Sequence, residues 1–121
     1  MKNAISNRTI APINAATRGS SVRRSFVVGL EHGLHARPCA LLIKTLRPFA
    51  SDVLVESNGE QASGHSIMGL MMLAAGSGCR ITFTITGPDA LDAMAAVEQL
   101  FATGFAEAYG VPRSSVTRSP L

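Results

Sequence analysis

Arg80-Ile81-Thr82-Phe83-Thr84-Ile85-Thr86 alternates apolar and hydroxyl-bearing residues without a break. Successive side chains of a strand point to opposite faces, so Ile81, Phe83 and Ile85 share one face and the threonines the other. The segment reads as a half-buried strand, covered on one side and wet on the other. Asp52 to Ser57 repeats the pattern, with Val53 and Val55 pointing one way and Asp52, Leu54 and Glu56 the other. Asn58-Gly59 follows directly, a pair suited to a two-residue type I′ hairpin turn. Glu60 to Ser63 is the short strand that returns.

Phe26, Val27 and Val28 predict a first strand, and apolar character on successive residues places it centrally in the sheet. Glu31-His32-Gly33 turns the chain. A helix is predicted from about Ala36 to Arg47, with Pro38 in its first turn, where a missing N–H is harmless. Cys39, Leu42, Ile43 and Leu46 form its apolar stripe, Lys44 and Arg47 face water, and Pro48 ends it. Ser66 caps a second, short helix that carries Ile67, Met68, Leu70, Met71, Met72 and Leu73, with Leu70 and Leu73 directed inward. Gly76 and Gly78 end that segment. After Gly87-Pro88-Asp89, Leu91, Met94, Val97, Leu100, Phe101 and Phe105 recur at intervals of three or four. They form a last helix that frays by Gly104 or Gly110. The order strand, helix, strand, strand, helix, strand, helix gives an α+β fold, a two-layer open-faced β-sandwich with three helices on one side of four strands.

With 121 residues, 46% of them hydrophobic and no tryptophan, the chain supports one modest aliphatic core. The net charge of +3 is unevenly spread. Lys2, Arg8, Arg18, Arg23 and Arg24 lie in the first 24 residues, and Arg113 and Arg118 near the end. Between Ser25 and Tyr109, eight acidic residues outnumber four basic ones. A nucleic-acid surface needs its cations on one face of a fold, so this distribution argues against one. Residues 1–21 show no durable period and are expected to form a disordered basic extension. The domain then spans 22–108, and 109–121 is expected to be a flexible tail. Cys39 and Cys79, set among apolar or small residues, read as two reduced thiols of a cytoplasmic protein. No apolar run reaches the ~18 residues of a membrane span. The three histidines and two cysteines lack zinc spacing, so no metal site is expected.

The chemistry concentrates in Gly33-Leu34-His35-Ala36-Arg37-Pro38. A helix N-terminus presents unpaired backbone N–H groups and the positive end of the helix dipole, an anion-binding position that needs no side-chain donor. An imidazole on its rim could carry a covalent phosphoryl group held by those donors, with Arg37 adding a charge-assisted contact. Only the neutral ring has a lone pair for phosphorus, and histidine supplies that form near neutral pH. A histidine here is also compatible with a plain capping or solvent-facing role, Arg37 with a surface ion pair, and His32 with a simple turn residue. His65 reads as exposed.

From about Val22 to Ala108 the chain resembles the HPr family, the histidine-containing phosphocarriers of the bacterial sugar phosphotransferase system. Two segments carry the resemblance: Gly33-Leu34-His35-Ala36-Arg37-Pro38, similar to the family's phosphohistidine signature, and Ser66-Ile67-Met68-Gly69-Leu70-Met71, similar to its regulatory-serine signature. The resemblance implies four antiparallel strands and a carrier rather than an enzyme, without cofactor. His35 would accept phosphate at Nδ1 from phosphorylated enzyme I, which took it from phosphoenolpyruvate. It would pass the group to the A domain of an enzyme II or to a regulatory homologue. Arg37 would orient the phosphate, and backbone N–H groups of Ala36 and Arg37 would complete the cradle. Ser66 would be the target of an HPr kinase/phosphorylase, and Ile67, Met68 and Met71 a docking surface on a protein expected to be monomeric. Three positions depart from the family pattern. His32 stands for a small polar residue before Gly33, His65 for a lysine before the serine, and Cys39 for a small residue such as alanine.

Two other functions use the same domain: a signalling carrier whose phosphate reaches regulatory proteins, and a binding-only corepressor that partners a transcription regulator when serine-phosphorylated. Retention of His35 and Arg37 speaks against binding as the sole role. An RNA-binding α/β sandwich lacks its exposed strand aromatics and basic face. Direct turnover of a small substrate lacks a nucleophile–base–acid constellation.

Overall fold

The computed structural model describes residues 20–73 and 75–110. Most of the expected N-terminal extension and the tail beyond Gly110 lie outside the described residues. In chain order the elements are β1 (Ser20–Val27), α1 (Ala36–Leu46), β2 (Asp52–Ser57), β3 (Glu60–Ser63), α2 (Ile67–Met72), β4 (Arg80–Gly87), α3 (Ala90–Ala102) and a 3-10 turn (Ala106–Tyr109). The sheet is antiparallel throughout, in the order β1-β4-β2-β3. This is the α+β open-faced sandwich that the alternating strands predict.

The register sorts the faces. Ile81, Phe83 and Ile85 of β4 and Val53 and Val55 of β2 are buried under the helices. They pack with Leu42 and Leu46 of α1, Leu70 of α2, and Ala93, Met94, Val97 and Leu100 of α3. On the opposite face Ser21 meets Thr86 at 3.0 Å and Ser25 meets Thr82 at 2.8 Å, hydroxyl to hydroxyl. Arg23 reaches Glu56 at 3.6 Å across that face. Paired hydroxyls and a diagonal ion pair suit this face to water, and no helix of the described residues covers it.

β1 departs from expectation in being an edge strand rather than a central one. Its apolar run straddles the strand's end: Phe26 packs on the core, Val27 is 59% exposed on the open face, and Val28 is buried beyond the last strand residue. Val28 instead exchanges backbone hydrogen bonds with Gly78 and Cys79. Arg24, on the core face of this edge, pairs with Glu98 of α3.

The Asn58-Gly59 turn has both residues at positive φ, as a type I′ turn requires. Leu91, expected on the apolar stripe of α3, is 65% exposed. The face that packs is set instead by Ala90 and Ala93 with Met94, Val97 and Leu100. α3 ends at Ala102 because Gly104, at φ +64, takes the left-handed position. Gly104 N–H then bonds to Phe101 O and Phe105 N–H to Leu100 O, the paired closure of a Schellman motif. That reversal buries Phe105 and brings the 3-10 turn back over α1.

Candidate functional site

The loop from Leu30 to His35 is pinned before α1 begins. Gly33 N–H bonds to Leu30 O, and Leu34 N–H bonds to Ala75 O at 2.9 Å. Gly33 has φ +70, and a Cβ there would stand 2.7 Å from Ala75 O and 2.8 Å from Gly76 Cα. Only glycine allows both the left-handed backbone and this approach. Leu34, 5% exposed, anchors the next position in the core. The loop is thus held at its back while His35 stands at its rim.

His35 is the N-cap residue of α1, with extended backbone, and its ring is not used to cap the helix. Its carbonyl accepts from Cys39 N–H at 3.0 Å. Pro38 at the third helical position has no N–H. That leaves Ala36 and Arg37, whose backbone N–H groups have no partner among the described residues. No acidic side chain lies in the first turn of α1. The position is open to an anion, in the field of the helix dipole.

The His35 ring is half-buried, and the Ala36 and Arg37 side chains are exposed. Its Nε2 lies 3.0 Å from the Tyr109 hydroxyl, whereas Nδ1 has no hydrogen-bond partner among the described residues. The Arg37 guanidinium carbon sits 5.9 Å from the centre of the Tyr109 ring. His32 occupies the turn, exposed, its ring 6.2 Å from that of His35 in an edge-on arrangement. Tyr109 is the residue missed at the sequence level, where position 109 opens the expected tail. A signal was available: it is the sole tyrosine, bracketed by Gly104 and Gly110.

Directly behind the site, Cys39 is fully buried and its Sγ points to Leu34 O at 3.6 Å. Burial pushes its thiol up to about 11, which keeps Cys39 in the thiol form at neutral pH. Both cysteines are free. Among the described residues no group of three His, Cys, Asp or Glu side chains is placed to hold a metal ion. No helix among them is long and apolar enough to cross a membrane.

α2 packs beside α1. Ser66 is its N-cap, with Oγ accepting from Gly69 N–H at 3.0 Å. Leu70 and Leu73 are buried, while Ile67, Met68 and Met71 are 42%, 68% and 44% exposed. Met72, at 74%, extends the same apolar surface and was not singled out from the sequence. The two sequence motifs therefore lie on neighbouring helices, one presenting an anion position and the other an exposed apolar ridge. His65 is exposed, its Nε2 3.4 Å from Ser51 O.

Residues 22–103 match the family model described as PTS HPr component phosphorylation site. The chain is 42% identical over 76 residues to the HPr-like protein Crh of Halalkalibacterium halodurans, covering 63% of this chain and 90% of that protein. It is 41% identical over 85 residues to the Multiphosphoryl transfer protein of Escherichia coli, covering 68% of this chain but only 23% of that much longer protein. Among solved structures it is similar to HPr-C-His from Thermoanaerobacter tengcongensis, with TM-score 0.67 and 30% identity over 70% of this chain and 96% of that one.

Proposed function

The chain belongs to the HPr phosphocarrier family of the phosphotransferase system, and from that premise we propose that His35 is its phosphoacceptor. Phospho-enzyme I is the donor, and the acceptor is the A domain of an enzyme II or a regulatory homologue. The observation that carries this reading is a half-buried imidazole at the N-cap of α1 that caps nothing, beside two backbone N–H groups without partners among the described residues.

The step follows from the geometry. Nε2 is engaged by Tyr109, and Nδ1, without a partner among the described residues, is the nitrogen left to attack. Its lone pair forms the new N–P bond while the donor's own bond to phosphorus breaks, and the released electron pair stays with the donor atom. Three anionic oxygens arrive with the phosphorus. The Ala36 and Arg37 amides, the dipole of α1 and the Arg37 guanidinium are the groups available to meet them. Transfer onward is the same step in reverse, with a nucleophile of the acceptor attacking the phosphorus and the His35 N–P bond breaking. The chain supplies one half of each reaction, and the partner supplies the other.

Docking falls to the apolar ridge of Ile67, Met68 and Met71. One surface must serve donor and acceptor in turn, and exposed methionines adapt to several partners. Ser66 is the regulatory site for an HPr kinase/phosphorylase acting with ATP. A phosphate on its Oγ adds nearly two negative charges at the start of α2, where the helix tolerates them and an approaching acidic partner does not.

The test is incubation with enzyme I, phosphoenolpyruvate and magnesium, followed by mapping of the modified residue. An acid-labile phosphate on His35, absent from His35→Ala, is the expected result. Phosphate elsewhere, or none, overturns the proposal.

A further inference from the structure

Tyr109 touches both side chains of the proposed carrier site. Its hydroxyl lies 3.0 Å from His35 Nε2, and its ring lies beneath the Arg37 guanidinium at 5.9 Å. It is held there by an unusual piece of backbone. Gly104 and then Phe105 take successive left-handed conformations, at φ +64 and +57. Phe105 bears the strain of a bulky residue at positive φ and is 1% exposed, its ring 5.0 Å from that of Phe101. Burial of Phe105 fixes where the 3-10 turn emerges, and the turn's last residue is Tyr109. Tyr109 itself is 43% exposed and adds little to the core. Its placement is therefore set by its neighbours, and its own contacts are with the site.

An imidazole offers two nitrogens to an electrophile. Attack requires a lone pair that is free and reachable in the plane of the ring. At Nε2 that direction is occupied by a phenolic oxygen at hydrogen-bond distance, whichever of the two atoms carries the proton. At Nδ1 no partner among the described residues stands in the way. When the phenol accepts from Nε2–H, the Nδ1 lone pair is exposed. After phosphorylation the ring keeps its Nε2 proton and gains positive charge, and Nε2–H then becomes a stronger donor to the same oxygen. The contact thus favours the tautomer that can attack through Nδ1 and strengthens as the N–P bond forms.

We propose that Tyr109 is a positioning residue which directs phosphorylation of His35 to Nδ1 by occupying Nε2. The proposal rests on His35 being the phosphoacceptor and adds the residue that enforces the choice of nitrogen. It makes the residues just past the end of α3 part of the site.

Phosphoramidate provides a test without any partner protein. The histidine nitrogen attacks phosphorus, the P–N bond of the reagent breaks, and ammonia leaves with its electron pair. Full-length protein with ¹⁵N-labelled histidine is treated with phosphoramidate, and long-range ¹⁵N–¹H spectra report which ring nitrogen of His35 carries phosphorus. In the wild-type protein Nδ1 should dominate. Tyr109→Phe keeps the ring and removes the hydroxyl, and should lower the Nδ1:Nε2 ratio about fivefold, the weight of one neutral hydrogen bond. Tyr109→Ala should lower it at least as far. An unchanged ratio in both variants overturns the proposal. Failure of phospho-enzyme I to modify His35 would instead overturn the carrier reading, and the phosphoramidate ratios would still decide the role of Tyr109.

Discussion

Replacing Gly33 by alanine probes how the loop before α1 holds His35 in place, and the structure sets the size of the effect. The backbone term comes first: alanine at φ +70 costs about 1–2 kcal/mol for its left-handed conformation. The contact term comes second. The new Cβ would stand 2.7 Å from Ala75 O and 2.8 Å from Gly76 Cα, both backbone atoms that cannot rotate away. Relief requires the two segments to part, which stretches the Leu34 N–H to Ala75 O bond of 2.9 Å and forfeits about 1 kcal/mol. Together these predict a loss of about 2–3 kcal/mol in urea unfolding, with each kcal/mol lowering the melting temperature by about 4–8 °C.

Two controls separate the terms. Gly59 has φ +79 but nothing within 4 Å of the place a Cβ would take, so Gly59→Ala should show the backbone cost alone. Gly29 has open space and no positive φ, so Gly29→Ala should be nearly silent. Gly33→Ala should also slow phosphoryl acceptance beyond its effect on the folded fraction, because His35 N–H bonds to Gly33 O at 3.1 Å and follows any shift of that residue. If Gly33→Ala is no more destabilising than Gly59→Ala, the close approach to residues 75 and 76 is not what holds the loop.

Ser66→Ala removes the Oγ acceptor of Gly69 N–H and should cost about 1 kcal/mol, whereas Ser66→Asp, itself a good cap, should stay within about 0.5 kcal/mol of wild type yet slow transfer from phospho-enzyme I. Equal stability of Ser66→Ala and wild type in urea would show that the Ser66 cap contributes nothing. Asp89 accepts from Ser51 Oγ and from the Ala50 and Ser51 N–H groups, which lower its pKa from the ordinary 3.8. The unfolded chain then binds the extra proton first, so this contribution is complete above 3.8 and is lost as pH falls through the lower folded value. Asp89→Asn should flatten the acid limb of a stability–pH profile, and an unchanged slope would contradict the assignment. Iodoacetamide at neutral pH should alkylate half-exposed Cys79 in the native protein and spare buried Cys39, and mass spectrometry showing Cys39 labelled first would refute that.

The parts of the fold legible in the sequence are those fixed by local chemistry. β4 and β2 declare themselves by strict alternation, the hairpin by Asn58-Gly59, and the start of α2 by Ser66. Misreadings arise where a decision is made by distant residues. The run Phe26-Val27-Val28 looks like a central strand, yet the strand ends at Val27 and the third residue of the run serves the loop. Leu91 fits a helical stripe, but alanines 90 and 93 let α3 approach the sheet on a face rotated away from it. The site divides in the same way. His35, Arg37 and the unpaired amides follow from a helix N-terminus and its flanking residues. Tyr109 arrives from 74 positions away through the Gly104–Phe105 reversal, which no local period encodes.

The position of Pro38 bears on how firmly such a site should hold phosphate. Proline is most comfortable at the first residue of a helix, but here it is the third. An ordinary residue there would present a third free N–H to an anion at the N-terminus. Proline withholds it, and the fourth amide, of Cys39, is taken by His35 O. Among the described residues, the cradle proposed for the phosphate is then the two amides of Ala36 and Arg37 with one solvent-exposed guanidinium. Each additional charge-assisted donor would deepen the bound state by about 1.5–3 kcal/mol, roughly a ten- to hundredfold slower release. A storage site would gain from that, but a carrier would not, because the same phosphoryl group must leave on every cycle. Pro38 is also among the most deeply buried side chains of the domain, so the residue that anchors the start of α1 is the one that limits the number of donors. On the proposed carrier reading, packing and a shallow phosphate well would both be met by a single choice of residue.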